Sequence, residues 1–535
     1  MDLGTLIEGL PIALRGDAAG AGVRICDVTD DSRTVVPGSL FIARAGVSDD
    51  GRRYIAGAVE AGAAAVLTDD EGSLAGLPAG VAGLEPAPGS PGLRELTARL
   101  AERWFGAPSS RLIVAGVTGT NGKTTVAHLV HRLCNACGVR CGLIGTVEID
   151  DGSERSPAGM TTPAALELAR TMSVMVESGC RAVVSEVSSH ALDQARVDAV
   201  RFDVAAFTNL TGDHLDYHGD MDAYASAKRR LFELLAADPG GGLAVVNLDD
   251  PRGRWMAGPA GRVAGCSMSA ADAAWNVRTL WAGGGGSRLV IDRIDHEGPA
   301  QLEATVELIG AHNAMNVLQS VVIADEIVRR AGVEEPEARR RMLERAMSLL
   351  TAPAGRLERV STPSDDVVGF VDYAHTDDAL EKAASALRSV MRAGSSLWLV
   401  FGCGGERDTG KRPRMGHVAA RLADKIVVTS DNPRSEPPAS IVRDILEGVP
   451  GPVRRGSRVH VHVDRAEAIG VAARLAAPGD VILVAGKGHE TEQVIGEEVG
   501  GVTTLRTLPF DDREQLREAL RARREGTRGR SAARA

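Results

Sequence analysis

Residues 116–125, GVTGTNGKTT, set Gly119, Thr120, Asn121, Gly122, Lys123, Thr124 and Thr125 between the apolar RLIVAGV and the helical pattern TVAHLVHRL. A glycine-rich strand-to-helix turn points backbone N–H groups and the positive end of the helix dipole at bound phosphate. Lys123 would reach the terminal phosphates and the Thr124 hydroxyl would face Mg²⁺. The general phosphate-loop spacing wants its first glycine where Val117 stands, so this turn is a variant. Glu186, after the strand-like RAVVS, offers oxygen to the hard cations that prefer it. His214 and His218 are four apart, which suits either a metal pair on one helix face or a polar loop held by its own hydrogen bonds. Lys228 closes DMDAYASAK, next to Arg229 and Arg230, and is one of few lysines in the chain. In the second half, DNPR (Asp431, Asn432, Pro433 and Arg434) and GKGHE (Gly486 to Glu490) follow apolar runs. An arginine there can clamp a carboxylate with paired hydrogen bonds.

The elements that must hold these residues follow from periodicity. Five apolar runs, from RLIVAGV through CGLIGTV, RAVVSEV and VAAFTNL to GLAVVNL, are spaced by helix-length segments. A second set follows residue 351: VVGFVDYA, SLWLVFGCGG, ADKIVVTSD, VHVHVD and DVILVAGKG. Alternating strands and helices predict α/β folding with mostly parallel sheets, and ligands collect at the C-terminal ends of such strands. Residues 1–108 predict a small α/β module, with 76–92 as a surface loop. The segment 256–296 predicts irregular structure, ending near AQLEATVELIG as an antiparallel edge. The expected partition is 1–108, a central domain 109–350, a Rossmann-like domain 351–520, and a disordered Arg-rich tail 521–535.

Composition narrows the class. At roughly 100–200 residues per domain, 535 residues make about three domains. A net charge of −10 argues against a nucleic-acid partner. No long apolar run predicts a membrane span, and the acidic start, Met1 to Leu10, is no secretory signal. The seven cysteines are odd in number and do not look like a disulfide framework, so the setting expected is reducing and cytoplasmic. Cys134, Cys137 and Cys141 lack the fourth ligand that a structural zinc site needs. Six lysines stand among 61 basic residues, so a retained lysine marks a place that arginine does not serve.

The motifs, in order, resemble the Mur ligase family of ATP-dependent amide-bond ligases. TGTNGKTT is similar to its ATP signature, DSRTVVPGSLFIARAG to its UDP-sugar module, and MTTP, SEVSSHALDQARV and NLTGDHLDYHGDMDAYASAK to its central domain. GAHNAMN, AGRLE, DYAHT, FGCGGERDTGKRP, SDNPRSEP and GKGHET resemble its remaining ATP and amino-acid sites. The resemblance implies an acid–amino-acid ligase that adds meso-diaminopimelate to UDP-N-acetylmuramoyl-L-alanyl-D-glutamate through an acyl phosphate, in cell-wall precursor synthesis. It implies ATP and Mg²⁺ as cofactors and small-molecule substrates only, handled by a monomer. It further implies that Lys123, Glu186, His214 and Lys228 are catalytic. Thr124, Glu186, His214 and carbamylated Lys228 would surround metal. Asn313, Arg356 and Asp372 would join the phosphate turn on the nucleotide. Asp31, Ser32 and Arg33 would meet the uridine end, and Thr161, Thr162, Ser188, Gln194 and Arg196 the muramoyl-peptide. Arg407, Asp431, Asn432, Pro433, Arg434, Gly486 and Glu490 would form the amino-acid pocket, with Glu490 for the distal ammonium. Thr211-Gly212, Asp377 and Glu492 depart from the family pattern. Two alternatives stand beside this reading: a related ligase with another acceptor, such as a folylpolyglutamate-type enzyme, and a regulatory P-loop ATPase whose hydrolysis ignores amino acids.

Overall fold

The structure is a computed structural model that describes all residues except 16–21, 47–48, 238–239, 271, 296, 500–501 and 533–535. The chain divides into two compact units, the first comprising Met1–Leu210, His218–Gly265 and Val322–Glu335, the second the remainder.

In the first unit, a five-stranded sheet runs in the order Ile12–Arg15, Ala82–Pro86, Ala65–Thr68, Ser39–Ala43, Asp27–Thr29, parallel except at the Ile12–Arg15 edge. Ala82–Pro86 corrects the expectation of a surface loop over 76–92. Its Ala82 and Leu84 are buried in the core, so two apolar side chains on one face suffice to place a strand there. The central sheet has a parallel centre in the order Leu243–Asn247, Val204–Phe207, Ile113–Thr118, Ala182–Glu186, Cys141–Ile144. All five expected runs form these strands. Their near-continuous apolar character follows from burial on both faces.

The second unit contains an antiparallel set, Trp275–Gly283, Gly286–Asp295 and Gly298–Val306. Most of the segment expected to be irregular is therefore regular: Gly283 pairs with Gly286 across a two-residue turn, which consecutive glycines permit. His296, the end of that expectation, lies outside the described residues. The unit's main sheet runs Glu358–Arg359, Val368–Asp372, Val481–Ala485, Leu397–Phe401, Lys425–Val428, Val459–Val461, parallel but for the first strand. Leu397, Leu399 and Phe401 enter one hydrophobic core while Trp398 and Val400 enter the other, so both faces are covered. Residues from Arg521, expected to be disordered, continue the helix Asp512–Ala532. Arg523 explains the anchoring: it donates to the carbonyls of Ala473 (2.8 Å) and Ala476 (2.7 Å) and pairs with Asp366. Ala533 to Ala535 lie outside the described residues.

Candidate functional site

Strand Ile113–Thr118 delivers the chain into the phosphate turn, and helix Lys123–Ala136 leaves it with Gly122 as N-cap at φ 90°. Gly119 has φ +145°, and a Cβ there would lie 2.0 Å from Thr208 Oγ1, so the turn closes only on glycine. Lys123 folds back, its Nζ donating to the carbonyls of Gly119 (3.0 Å) and Thr120 (2.9 Å). Lys228, in helix Met221–Ala237, is 1% exposed; its Nζ donates to the same Gly119 carbonyl at 2.9 Å and lies 4.3 Å from the Tyr224 ring centre. Two of the six lysines thus converge on one carbonyl. Asn121 N–H donates to Asn209 Oδ1 (3.0 Å), and both Thr124 and Thr125 are buried.

Glu186 ends strand Ala182–Glu186 and is wholly buried. Its carboxylate accepts from Thr124 Oγ1 (2.9 Å), the Thr146 N–H (2.7 Å) and Thr146 Oγ1 (3.0 Å). All of these donors are neutral. Among the described residues only neutral groups donate to this buried carboxylate next to the phosphate turn, a setting that suits a hard cation, so the oxygens of Glu186 and Thr124 fit Mg²⁺. Thr146 is absent from the sequence-derived set; it stands 40 positions from Glu186, and its signal, a lone threonine after a strand, is too weak to read.

The expected peptide-side residues gather around this carboxylate. The Thr146 and Thr161 hydroxyls share a hydrogen bond (3.1 Å), and Thr162 Oγ1 donates to the Glu186 carbonyl (2.8 Å) and accepts from the Ser188 N–H (3.1 Å). Ser188 caps helix Ser189–Asp193, and Arg196 donates to Gln194 Oε1 (2.7 Å) and the Thr162 carbonyl (2.8 Å). Asp31, Ser32 and Arg33 sit apart in a short 3₁₀ turn. There the Arg33 guanidinium beside Asp31 holds that carboxyl down at about 2. Of the two readings open for His214 and His218, the pair on one helix face does not form. His218 ends helix Leu215–His218 and shares a hydrogen bond with Ser189 Oγ (3.0 Å), whereas His214 precedes the helix at φ 54° with its own N–H on Asp213 (3.0 Å). A left-handed residue outside the helix does not share its face.

In the second unit, Asp372 ends strand Val368–Asp372 and accepts from the N–H groups of Leu357 (2.5 Å) and Ala374 (2.8 Å). Burial pushes its carboxyl up to about 6, against the opposing pull of Arg356. The Arg356 guanidinium stacks 4.4 Å from the Tyr373 ring centre, and His375 and His489 flank that ring at 4.6 and 5.1 Å. Asn313 is buried near the start of helix Ala311–Arg330; its amide donates to the Ile309 carbonyl (2.9 Å) and accepts from Asn316 (3.0 Å). Both ends of that amide are engaged inside the protein. At the departure Asp377, the residue begins helix Asp377–Val390 behind the Thr376 cap, a position where a carboxylate complements the dipole as well as proline fits the backbone.

Asp431, Asn432, Pro433 and Arg434 follow strand Lys425–Val428, and Gly486 follows Val481–Ala485. Lys487, wholly buried, donates to Asn432 Oδ1 (3.0 Å) and Glu490 Oε2 (3.0 Å); Asn432 Nδ2 donates to the same Glu490 oxygen (2.9 Å). Glu490 is therefore already neutralised on one oxygen by a lysine outside the expected set. Among the described residues, none donates to the Asp431 carboxylate or to Glu490 Oε1. Arg434, at φ 53°, donates to the Gly405 carbonyl (2.6 Å), and Arg407 is exposed on the loop after Leu397–Phe401. The arrangement presents two guanidinium cations together with carboxylate oxygens of Asp431 and Glu490 that accept from no described donor, which suits a ligand carrying both a carboxylate and an ammonium.

Three family models match in succession: "Mur ligase family, catalytic domain" over 24–100, "Mur ligase middle domain" over 117–324 and "Mur ligase, glutamate ligase domain" over 355–488. A UDP-N-acetylmuramoyl-L-alanyl-D-glutamate--2,6-diaminopimelate ligase of Chlorobaculum tepidum is 42% identical over 513 residues, 94% of each chain. One of the same name from Alkalilimnicola ehrlichii is 43% identical, covering 92% of this chain and 93% of the relative. A solved structure of a ligase of that name superposes with a TM-score of 0.65 at 30% identity, covering 98% of this chain and 99% of the other. With near-full-length relatives at this identity, the chain belongs to the Mur ligase family.

Proposed function

We propose that this chain is an ATP-dependent, ADP-forming ligase that joins meso-diaminopimelate to UDP-N-acetylmuramoyl-L-alanyl-D-glutamate in peptidoglycan precursor synthesis. The observation that carries the reading is the cluster at the strand ends, where Arg434 and Arg407 both approach Gly404 and the Asp431 carboxylate accepts from no described donor. Diaminopimelate has a second carboxylate and a second ammonium at its far end; lysine has only the ammonium, which Arg434 would repel. The names of the near-full-length relatives support the same substrate. Glu490 contributes its free Oε1 to the distal ammonium, while Lys487 holds its other oxygen.

A carboxylate is a poor electrophile. The γ-phosphoryl group of ATP is therefore transferred to a substrate carboxylate oxygen as ADP leaves. The incoming amine attacks the acyl carbon, loses a proton, and phosphate departs. The protein's task is to position these groups and to balance their negative charge. Residues Gly119 to Thr125 would cradle the phosphates, with the Lys123 amine to reach them. Asp372 takes the ribose, with Asn313 and Arg356 beside it. Thr124, Glu186, His214 and Lys228, the last as its N6-carboxy derivative, would hold magnesium, which would supply positive charge to offset that of the phosphates. Thr161, Thr162, Ser188, Gln194 and Arg196 take the muramoyl-peptide, and Asp31, Ser32 and Arg33 the uridine end. Domains at 1–108, 109–350 and 351–520, supported by the three successive family models, divide these tasks within a cytoplasmic monomer.

Phosphate release measured with ATP, Mg²⁺, the UDP-dipeptide and single amino acids tests the reading. Diaminopimelate should stimulate release and lysine should not. Equal stimulation by lysine removes the specificity, and release indifferent to both leaves the regulatory ATPase.

A further inference from the structure

Beneath the amino-acid pocket lies a buried ion pair that joins residues far apart in the chain. Arg465 opens helix Arg465–Leu475 and Asp512 opens the C-terminal helix Asp512–Ala532. Both side chains are 0% exposed. Arg465 Nε donates to Asp512 Oδ1 and Nη2 to Oδ2, each at 2.7 Å, a bidentate pair. The same guanidinium makes two more bonds, from Nη1 to the Ser430 carbonyl (3.1 Å) and from Nη2 to the Ala485 carbonyl (2.9 Å).

Those two carbonyls belong to the residues immediately before Asp431 and Gly486. Strands Lys425–Val428 and Val481–Ala485 are not neighbours in the sheet, because Leu397–Phe401 runs between them. No ladder hydrogen bond therefore sets the distance between their ends. Arg465 spans that gap from below. The spacing is tight: a Cβ on Gly486 would lie 2.4 Å from Asp431 Oδ2 and 3.8 Å from Arg465 Nη2. Burial works against the Arg465 cation, but Asp512, Asp431 and Glu490 outweigh it, so the charge is held in the field of the pocket's own carboxylates. A lysine point charge cannot serve four acceptors in this planar arrangement.

We propose that Arg465, held by Asp512, is a positioning residue that fixes the separation of Asp431 and Gly486 and so sets affinity for the amino-acid substrate. The proposal rests on the reading of this pocket as the diaminopimelate site. It also gives the C-terminal helix a part in substrate binding, through its first residue.

The test is initial-rate kinetics on the full chain with Arg465→Lys and Asp512→Asn. Arg465→Lys should raise the KM for meso-diaminopimelate about tenfold or more, with those for ATP and the UDP-dipeptide within about twofold. Asp512→Asn, which keeps the shape and loses the charge, should show a smaller rise in the same KM alone. Three KM values rising together, or an unchanged diaminopimelate KM, overturn the clamp. Hydrogen exchange of the wild-type chain decides the matter even where a variant does not fold. Adding meso-diaminopimelate with ADP should slow exchange at residues 512–516 together with 431–434. Slowing at 431–434 alone overturns the proposal. A wild-type chain that releases no phosphate with diaminopimelate overturns the pocket reading itself, a result distinct from either of these.

Discussion

Gly486 holds φ +119° with the Asp431 carboxylate 2.4 Å from where a Cβ would stand. Gly486→Ala should therefore both strain the backbone and displace Asp431. Its expected cost is about 1–3 kcal/mol of stability, read by denaturant unfolding, together with a raised KM for the amino acid. Lys228→Arg should abolish turnover, since a guanidinium cannot be carbamylated and the buried site at Gly119 is shaped for an amine. Near-normal phosphate release by that variant would sink the carbamate assignment. Asp372 supplies a pH test. Its carboxyl is raised to about 6, mainly by burial, so the carboxylate that should accept a ribose hydroxyl is lost as pH falls through that value. The KM for ATP should rise below pH about 6 in the wild-type chain, whereas Asp372→Asn should give a high, flat profile. The positions of Lys123, Glu186 and Arg434 at or just past strand ends were legible because apolar runs and turn residues flank each of them. Thr146 was not, because a threonine hydroxyl has a partner in almost any setting.

At the level of elements, strands and helices were legible wherever period and punctuation agreed, as in Ile113–Thr118 running into Lys123–Ala136. Ala82–Pro86 was missed because its flanking glycines and prolines outweighed two inward apolar residues. The hairpin Trp275–Gly283 to Gly286–Asp295 was missed because its glycine run reads as irregular until the partner strand is in place. One buried acid marks the joint after helix Leu93–Trp104. Glu102 accepts from the Ser109 N–H (3.4 Å), its Oε1 has no partner among the described residues, and burial pushes it up to about 7. Folding thus favours its protonated form. The stability it contributes is full below its ordinary value of 4.5 and is lost as pH rises through about 7. Glu102→Gln should be more stable than wild type at pH 8 by about 1–3 kcal/mol, with little difference at pH 4. Thermal unfolding of the two proteins at both pH values is the measurement.

For the whole molecule, the division into two compact units predicts two calorimetric transitions. Meso-diaminopimelate, whose proposed pocket lies entirely in the second unit, should raise only one of them, by about 2.7 kcal/mol at 100 times Kd. A single transition, or an equal rise in both, would contradict this. The sequence by itself determined the family, the glycine-rich strand-to-helix turn, the parallel sheets and the strand-end positions of the motifs, because hydrogen-bonded periodicity and turn chemistry are local and short in range. Tertiary structure alone decided that Lys123 and Lys228 share the Gly119 carbonyl and that Lys487 pairs with Glu490. It alone paired Arg465 with Asp512, 47 positions away. Such contacts follow from packing and strand order, and no local pattern in the chain encodes which distant side chains will be buried against each other.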